Sequence, residues 1–452
     1  MTFALALSAA LALTPISADQ FVKDYMAETN LPGAVVVVTK DGQVVHAAGY
    51  GHDAGGKPLT ADSPMPLASL SKSFTARGVM RLVEQGKVKL DAPVRSYLPE
   101  FTMADPRYVK ITVRQLLDQT SGMSDSTFPE LTLDAPATLK DSVAMLRDAK
   151  LAGEPGEKFR YHNPNYAVLA RMVEKVANKP FADYMAAEVF APLGMNSTRT
   201  VDLTTQQPGA SRGYVRAYGQ VIQREQPTWF VNGGAGVVST ANDLGRWLIA
   251  QKGQVGADGT YSAGWSSARS AAGTPLLHHT GWLLTHNSVQ TVIPSSGYGI
   301  AVVTNTGMMS GDDAVNITEG LIQLTEGKAA EITEPFTMKS DYVLAALTLL
   351  SAGLGVLGVV RARRWARRGG WWRWVRLAAY AVPIVAFFTA ADLFGLLMNR
   401  SGTLGMITYV WLALFVWLAV SALAAAAVVA ARIISAVSTS AGRRAASRPS
   451  GT

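Results

Sequence analysis

Three long apolar stretches near the C-terminus constrain the fold of this chain more than any other feature. They cover residues 342–360, 377–398 and 407–430, and each reaches the ~20 residues that an α-helix needs to cross the hydrocarbon core of a bilayer. Backbone polar groups must be hydrogen-bonded internally in hydrocarbon, so such stretches are expected to be helical. The sequence therefore predicts three transmembrane helices, with the lipid bilayer as a partner.

The charge distribution predicts how these helices are oriented. Residues 1–336 contain 28 Lys and Arg against 31 Asp and Glu, which leaves 13 against 2 for the rest of the chain. The excess Arg lies in residues 361–376 and in the tail 431–452, and short Arg-rich segments beside apolar helices collect in the cytoplasm. We expect a multi-pass protein of the cell membrane with its N-terminal part extracytoplasmic and its tail cytoplasmic. The basic pI is therefore not a sign of nucleic-acid binding.

Two features of the apolar segments leave alternatives open. Residues 1–18 resemble a secretory signal or anchor but lack the basic N-terminal region, so the first helix of the following domain is the alternative. Asp392 lies within the second span, where a carboxylate is costly and is a functional candidate by default. Its alternative is a position near the outer surface, in contact with Arg400 or water.

The long segment 19–330 has the pattern of a mixed α/β domain. Apolar, β-branched runs occur at both of its ends, and helical patterns lie between them. We predict an antiparallel sheet built from both ends of the domain and flanked by helices, an inserted all-helical lobe, and a linker at 331–341. The predicted strands are 34–39, 44–48, 276–284, 289–294 and 298–305, and a helix is predicted from about 312 to 324.

Ser69-Leu70-Ser71-Lys72 is the first candidate for chemistry. If Ser69 begins a helix, Lys72 lies one turn further on the same side, where its amine can activate the hydroxyl. The helix N-terminus also supplies backbone N–H groups for developing negative charge. By itself the pattern is equally typical of a helix-capping serine followed by a solvated lysine.

Tyr161-His162-Asn163 is the second candidate. Tyr161 is the only one of fourteen tyrosines that is followed two residues later by Asn. A tyrosine becomes a useful base near neutral pH when a cation lowers its pKa, and Lys72 is a candidate for that cation. The alternative is a loop tyrosine that packs on the helical lobe.

His279-Thr280-Gly281 lies in a strand pattern and is the third candidate. Glycine permits close approach of a substrate backbone, and the N–H of Trp282 with that of Ser69 is a candidate oxyanion hole. The nearby histidines His278, His279 and His286 match no zinc spacing, so we predict no metal and no cofactor. The chain has no cysteine, which excludes a thiolate nucleophile.

Together, S-x-x-K, Y-x-N and His-Thr-Gly in this order resemble the penicillin-recognising serine hydrolases. That group contains class C β-lactamases, D-alanyl-D-alanine carboxypeptidases, esterases and D-amino-acid peptidases. The resemblance covers roughly residues 21–327 and extends to connecting segments such as Thr120-Ser121-Gly122, Pro192-Leu193-Gly194-Met195 and Gly236-Val237-Val238-Ser239-Thr240. It does not cover the three spans.

The resemblance implies a role for each matching residue. Ser69 is expected to be the nucleophile, with Lys72 and Tyr161 as the proton-transfer pair and no choice of base between them. Asn163 is expected to orient the lysine or the substrate, and His279-Thr280-Gly281 to line the substrate strand. The chain departs from β-lactamases at His279, where they usually carry lysine; histidine is largely neutral at pH 7, so carboxylate recognition is expected to weaken.

These expectations predict an extracytoplasmic serine hydrolase that acts through an acyl-enzyme on D-amino-acid peptides or cell-envelope esters. A β-lactamase and an acyl transferase or peptide cyclase are the alternatives within the same fold. A non-catalytic membrane sensor or binding protein is the alternative from another class. The substrate is expected to be a small molecule or peptide of the cell envelope, and the oligomeric state is left open.

A rival motif, Gly209-Ala210-Ser211-Arg212-Gly213, fits the G-x-S-x-G nucleophile elbow. That elbow requires a strand before the serine and a helix after it. Neither flank of this segment has such a pattern, so a chance match is expected.

Overall fold

The computed structural model describes residues 15–207, 212–251, 260–307, 313–368, 370–398 and 400–446. These residues form two compact units, of which the first holds residues up to 216, 220–336 and Arg400-Ser401. The predicted signal or anchor at 1–18 lies mostly outside the described residues and stays a prediction. Its last residues begin the first helix of the domain, where Ala18 is fully buried.

Twelve strands are present in the described part of the first unit. They are β1 (Gly33–Lys40), β2 (Gln43–Gly51), β3 (Met65–Pro66), β4 (Arg199–Thr200), β5 (Arg212–Ala217), β6 (Gln220–Glu225), β7 (Val237–Ser239), β8 (Tyr261–Ser262), β9 (Trp265–Arg269), β10 (Pro275–Leu283), β11 (His286–Ile293) and β12 (Tyr298–Thr304). The main sheet has the order β2-β1-β12-β11-β10-β9-β8 with antiparallel pairs. The N-terminal hairpin thus pairs with the last strand, which confirms the predicted sheet built from both ends of the domain.

Helices cover both faces of this sheet and fill the predicted lobe. They are α1 (Pro15–Thr29), α2 (Ser71–Glu84), α3 (Val113–Leu117), α4 (Leu139–Ala144), α5 (Pro164–Ala177), α6 (Phe181–Met185), α7 (Ala241–Ala250) and α8 (Asp313–Thr325). Helices α2 to α6 lie between β3 and β4 in the chain and form the lobe. The mixed α/β prediction is therefore confirmed.

Strand β1 shows why the sheet is buried on both faces. Successive strand side chains point to opposite faces, and the valines of β1 alternate accordingly. Val35 and Val37 pack in the core shared with the helical lobe, whereas Val36 and Val38 pack in the core shared with α1 and α8. The turn to β2 uses Asp41 and Gly42, whose φ values of 49° and 89° fit the two-residue hairpin turn that matches strand twist.

The second unit is built from helices, of which the longest are apolar. They are α9 (Thr337–Val360), α10 (Ala362–Arg367), α11 (Trp372–Val375), α12 (Ala381–Met398), α13 (Leu404–Val410) and α14 (Leu412–Ala446). Three segments, Thr337–Val360, Trp372–Leu396 and Leu412–Ser440, are long and apolar enough to cross a membrane. They include most of the predicted spans.

Helices α9 and α14 pack closely because small residues face each other. A methyl group added at Gly355 would lie 2.7 Å from Ala424, and one added at Gly358 would lie 2.6 Å from Val428. Small residues let helix backbones approach in this way within membranes. Large side chains such as Leu349 remain exposed on the outside of the unit, as a lipid-facing surface requires.

Candidate active site

Ser69 lies at the junction between the sheet and the helical lobe. It is the middle residue of a 3₁₀ turn, Ala68–Leu70, that leads directly into α2, so it precedes the α-helix instead of beginning it. Ala68 has φ 49°, a left-handed conformation that is costly for alanine. The hydroxyl of Ser71 donates to the Ala68 carbonyl over 2.6 Å and holds this turn.

Lys72 is fully buried and points at the serine. Its Nζ lies 3.1 Å from Ser69 Oγ, 2.9 Å from Asn163 Oδ1 and 2.9 Å from the Gly234 carbonyl oxygen. Burial lowers the pKa of Lys72 well below its ordinary value, and the charge of Arg400 lowers it further. A neutral amine has two N–H groups and one lone pair. In the neutral form, the N–H groups would match the two carbonyl oxygens, and the lone pair would be left for the Ser69 hydroxyl.

Tyr161 lies beside this pair. The Nζ of Lys72 is 4.8 Å from the centre of its ring, and its hydroxyl interacts with the hydroxyl of Ser69. Burial raises the pKa of Tyr161 to about 12, although the bond to Ser69 opposes the rise. The sequence interpretation that a Lys72 cation lowers this pKa is thus wrong for this geometry, because burial dominates and Lys72 is itself shifted towards its neutral form.

Asn163 connects the lysine to a group that the sequence did not indicate. Its Oδ1 accepts from Lys72, and its Nδ2 donates to Glu130 Oε1 over 2.9 Å. The backbone of Asn163 immediately precedes α5, which fixes its position. The predicted role of orienting Lys72 agrees with these contacts.

His279 is held in one neutral form by two neighbours. Its Nδ1 lies 2.6 Å from the Thr280 carbonyl oxygen, which can only accept, so Nδ1 carries the proton. Its Nε2 lies 3.2 Å from the hydroxyl of Tyr261, which therefore donates to it. Burial lowers the pKa of His279 to about 3, with a further contribution from the charge of Lys72. This histidine does not replace the permanent cation of a lysine.

The rest of the His-Thr-Gly segment lies along β10 next to the serine turn. The pairing of β10 with β9 ends at His278, so Thr280, Gly281 and Trp282 have no strand partner on that side among the described residues. A methyl group added at Gly281 would overlap the Leu67 carbonyl oxygen and Ser288 Oγ. Glycine is therefore required for β10 to approach the turn that carries Ser69. The oxyanion role of the Trp282 and Ser69 N–H groups stays a prediction.

Sequence reasoning missed a charged cluster beside Asn163. It contains Asp125, Glu130, His162 and Arg400. Donor atoms of the two carboxylates and of His162 lie within 4.8 Å of one another, a spacing that suits a metal ion. Here the guanidinium of Arg400 supplies the positive charge, with Nε 2.8 Å from Asp125 Oδ2 and Nη2 3.1 Å from Glu130 Oε1. His162 lies inside the Tyr161-His162-Asn163 motif, but Asp125, Glu130 and Arg400 belong to no recognisable motif, so no sequence signal indicated that the four lie together.

Two alternatives from the sequence can be compared with the structure. Among the described residues, His278, His279 and His286 do not form a group with metal-ligand distances. Residues 209–211 of the G-x-S-x-G segment lie outside the described residues. The residues that follow them form strand β5, whereas the nucleophile elbow requires a helix there.

A serine turn leading into a helix, a buried lysine one turn further and a tyrosine beside both define a protein of the serine-hydrolase type. Residues 18–324 match the family model described as Beta-lactamase. This match covers more than half of the chain, and the chain therefore belongs to the β-lactamase family.

Relatives and a solved structure agree with this assignment. Protein flp of Staphylococcus aureus (strain N315) is 25% identical over 312 residues, which cover 64% of this chain and 62% of flp. Penicillin-binding protein 4* of Bacillus subtilis (strain 168) is 34% identical over 187 residues, 40% of each chain. The octameric penicillin-binding protein homologue from Pyrococcus abyssi is 25% identical, with a TM-score of 0.59 over 73% of this chain and 80% of its own. The chain thus spans under two thirds of the length of flp.

Proposed function

We propose that this chain is a serine hydrolase that opens amide or ester bonds through an acyl-enzyme on Ser69. One observation carries the proposal. The Lys72 amine is fully buried and hydrogen-bonded to two carbonyl oxygens, and its Nζ lies 3.1 Å from the Ser69 hydroxyl oxygen. A solvated lysine beside a helix-capping serine would have neither the burial nor these partners.

In acylation, Ser69 Oγ attacks the substrate carbonyl carbon and its proton passes to the neutral Lys72 amine. A bond forms between Oγ and the acyl carbon, and the bond to the leaving amine or alcohol breaks. Tyr161, with its pKa raised to about 12, is a phenol at neutral pH and therefore suits the role of proton donor to the leaving group. The proton held by Lys72 then returns to Tyr161.

In deacylation the same two groups act again. Water attacks the acyl carbon and its proton passes to Lys72, while Tyr161 protonates Ser69 Oγ as the ester bond breaks. Lys72 then returns its proton to Tyr161. The carbonyl oxygen of each tetrahedral intermediate requires two N–H donors, for which the Ser69 and Trp282 backbones are the candidates. Each step conserves protons without a cofactor.

The substrate class follows from the neutral state of His279. A carboxylate next to it would meet neither a permanent cation nor a free N–H, because both ring nitrogens are occupied. This favours cell-envelope esters, or D-amino-acid peptides whose scissile bond has no carboxylate beside it, over β-lactam antibiotics, which carry that carboxylate. The three apolar helices and the Arg-rich segment 361–376 support a multi-pass membrane protein whose hydrolase unit is extracytoplasmic.

Covalent labelling with a fluorophosphonate tests the nucleophile. The full chain in detergent should be labelled, and Ser69→Ala should not be labelled. Ser96→Ala, at an exposed serine outside the site, is the matched control and should be labelled like wild type. Equal labelling of wild type and Ser69→Ala would refute the assignment.

Turnover against nitrocefin, a p-nitrophenyl ester and a D-Ala-D-Ala peptide tests the substrate class. We expect the ester, which carries no carboxylate, to be turned over faster than nitrocefin and faster than the D-Ala-D-Ala peptide, since both of these carry one. Preferred turnover of nitrocefin would show a β-lactamase instead. An amine-adduct product when an amine is added would show acyl transfer.

A further inference from the structure

Arg400 is far from the hydrolase motifs in sequence but lies beside them in the structure. It belongs to the connection between α12 and α13 and is grouped with the first unit. Besides its ion pairs with Asp125 and Glu130, its guanidinium lies 5.6 Å from the centre of the Tyr161 ring. Ser401 adds hydrogen bonds from its N–H and hydroxyl to Asp125, at 3.2 and 3.3 Å. Arg400 thus pairs with Asp125 and Glu130, and the expected contact of Asp392 with Arg400 or water stays a prediction.

A continuous series of polar contacts leads from Arg400 to the nucleophile. Arg400 Nη2 donates to Glu130 Oε1 over 3.1 Å, and the same oxygen accepts from Asn163 Nδ2 over 2.9 Å. Asn163 Oδ1 then accepts from Lys72, which contacts Ser69. Because Glu130 is shared between Arg400 and Asn163, loss of the guanidinium would release the carboxylate that orients Asn163.

The charges of this cluster explain why it needs a cation. Burial raises the pKa of Asp125, with a further rise from the neighbouring Glu130, and the charge of Arg400 opposes that rise. Burial alone would raise the pKa of Glu130 as well, but the charge of Arg400 holds it below its ordinary value. Glu130 is therefore a buried carboxylate whose main counter-charge is Arg400. Leaving such a carboxylate without its partner is strongly unfavourable.

We infer that Arg400 is a positioning residue of the hydrolase site, so that the connection between two apolar helices completes the catalytic arrangement. It fixes Glu130 and, through Glu130 and Asn163, the Lys72 amine. It is not a free anchor for a substrate carboxylate, because its guanidinium is already bound to Asp125 and Glu130. This inference rests on the proposed acyl-enzyme function.

The predicted membrane topology is compatible with this role. Two apolar helices, α9 and α12, lie between Phe336 and Arg400 in the chain. Two crossings return the chain to the side from which it started. The connection that carries Arg400 holds a single basic residue, whereas the segment between α9 and α12 holds seven Arg, which predicts opposite sides of the membrane for the two connections.

The pH dependence of acylation distinguishes this role from a purely structural one. The positive charge of Arg400 lowers the pKa of Lys72, and the negative charge of Glu130 raises it. Removal of the Arg400 charge should therefore move the acid limb of the pH–rate profile to higher pH, and removal of the Glu130 charge should move it to lower pH. The other titratable groups near the Lys72 amine are Tyr161, Tyr166 and His279.

The test measures the rate of fluorophosphonate labelling of the full chain in detergent between pH 5 and 10. For Arg400→Met we expect a loss on the order of 10- to 100-fold at pH 7, as for a misplaced catalytic group, and an acid limb at higher pH. Arg400→Lys should recover part of the rate, since lysine keeps the positive charge but lacks the planar guanidinium, whose several N–H groups can bind two carboxylates at once. Arg212→Met, which removes an exposed arginine paired with Glu225, is the matched control and should label like wild type.

Glu130→Gln provides a second, independent variant. Glutamine keeps an acceptor for Asn163 but removes the charge, so the acid limb should move to lower pH. Circular dichroism shows whether each variant is folded. The inference is overturned if folded Arg400→Met is labelled at the wild-type rate and its acid limb does not move. It is also overturned if the acid limb moves in the same direction in both variants. Such a result with labelling still dependent on Ser69 would leave the proposed function intact, whereas labelling of Ser69→Ala would refute that function itself.

Discussion

Lys72 is hydrogen-bonded to Asn163 over 2.9 Å, and this bond orients a lysine that has no access to solvent. A buried ammonium is unfavourable unless it is paired, and in this site the pKa of Lys72 is well below its ordinary value. In the proposed mechanism the amine accepts a proton from Ser69, and a lowered pKa favours the neutral form that can do so. The mechanism therefore makes the reactivity of Ser69 depend on how Asn163 and the Gly234 carbonyl oxygen hold Lys72.

Lys72→Ala should lower the rate of fluorophosphonate labelling by roughly 10²- to 10⁴-fold, the usual contribution of general acid–base catalysis. In the wild type, labelling should persist well below pH 10 and fall only when Lys72 becomes protonated, because its folded-state pKa is lowered. The measurement is labelling rate against pH. Unchanged rates in Lys72→Ala would contradict the role of the amine.

Tyr161→Phe should reduce steady-state turnover more than it reduces labelling. The phenol is expected to protonate a poor leaving group, whereas the fluoride of a fluorophosphonate needs little protonation. Comparison of kcat for an amide substrate with the labelling rate measures this difference. Tyr108→Phe, a tyrosine outside the site that packs on Phe101, is the control. Equal losses in both measurements would argue against a proton-donor role.

His279→Gln should leave the shape of the pH–rate profile between pH 5 and 8 unchanged. His279 has a pKa lowered to about 3, so it is already neutral throughout this range and contributes no titration there. The absolute rate should change only modestly, since glutamine can still accept from Tyr261. Disappearance of an inflection near pH 6 in the variant would show that His279 titrates in the working enzyme.

Gly281→Ala should impair acylation because a methyl group at this position overlaps the Leu67 carbonyl oxygen. Strand β10 would have to move away from the turn that carries Ser69, and misplacement by about 1 Å can cost on the order of 100-fold in rate. Gly353→Ala is the control, since an added methyl group there has no neighbour within 4 Å. A labelling rate equal to that of wild type would show that β10 need not lie so close.

Asp313→Ala should destabilise the first unit by roughly 3–5 kcal/mol, as expected when one partner of a buried ion pair is removed. Asp313 pairs with Arg216 at 3.1 Å, with side-chain exposures of 1% and 0%, and accepts from Tyr25 and Thr306. Chemical unfolding monitored by tryptophan fluorescence measures the loss. Glu225→Ala, which breaks the exposed pair with Arg212, should change the free energy of unfolding by less than about 1 kcal/mol.

Much of the fold could be predicted because its signals are local. The β-branched runs at both ends of the domain became β1, β2, β10, β11 and β12 with boundaries shifted by only a few residues. The helix predicted from about 312 to 324 is α8, Asp313–Thr325. Hydrophobic periodicity and turn residues act over a few neighbouring positions, and such patterns are legible in a single sequence.

The sequence by itself determined the order of the candidate residues Ser69, Lys72, Tyr161 and His279, and three helices apolar enough to span a membrane. Only the tertiary structure decided their protonation, because a pKa depends on burial and on charges that approach through space. The tertiary structure keeps His279 neutral, because Nδ1 donates to the Thr280 carbonyl oxygen and Nε2 accepts from the Tyr261 hydroxyl. It also brought Arg400 to Glu130, a contact between positions so distant in the chain that no local pattern records it.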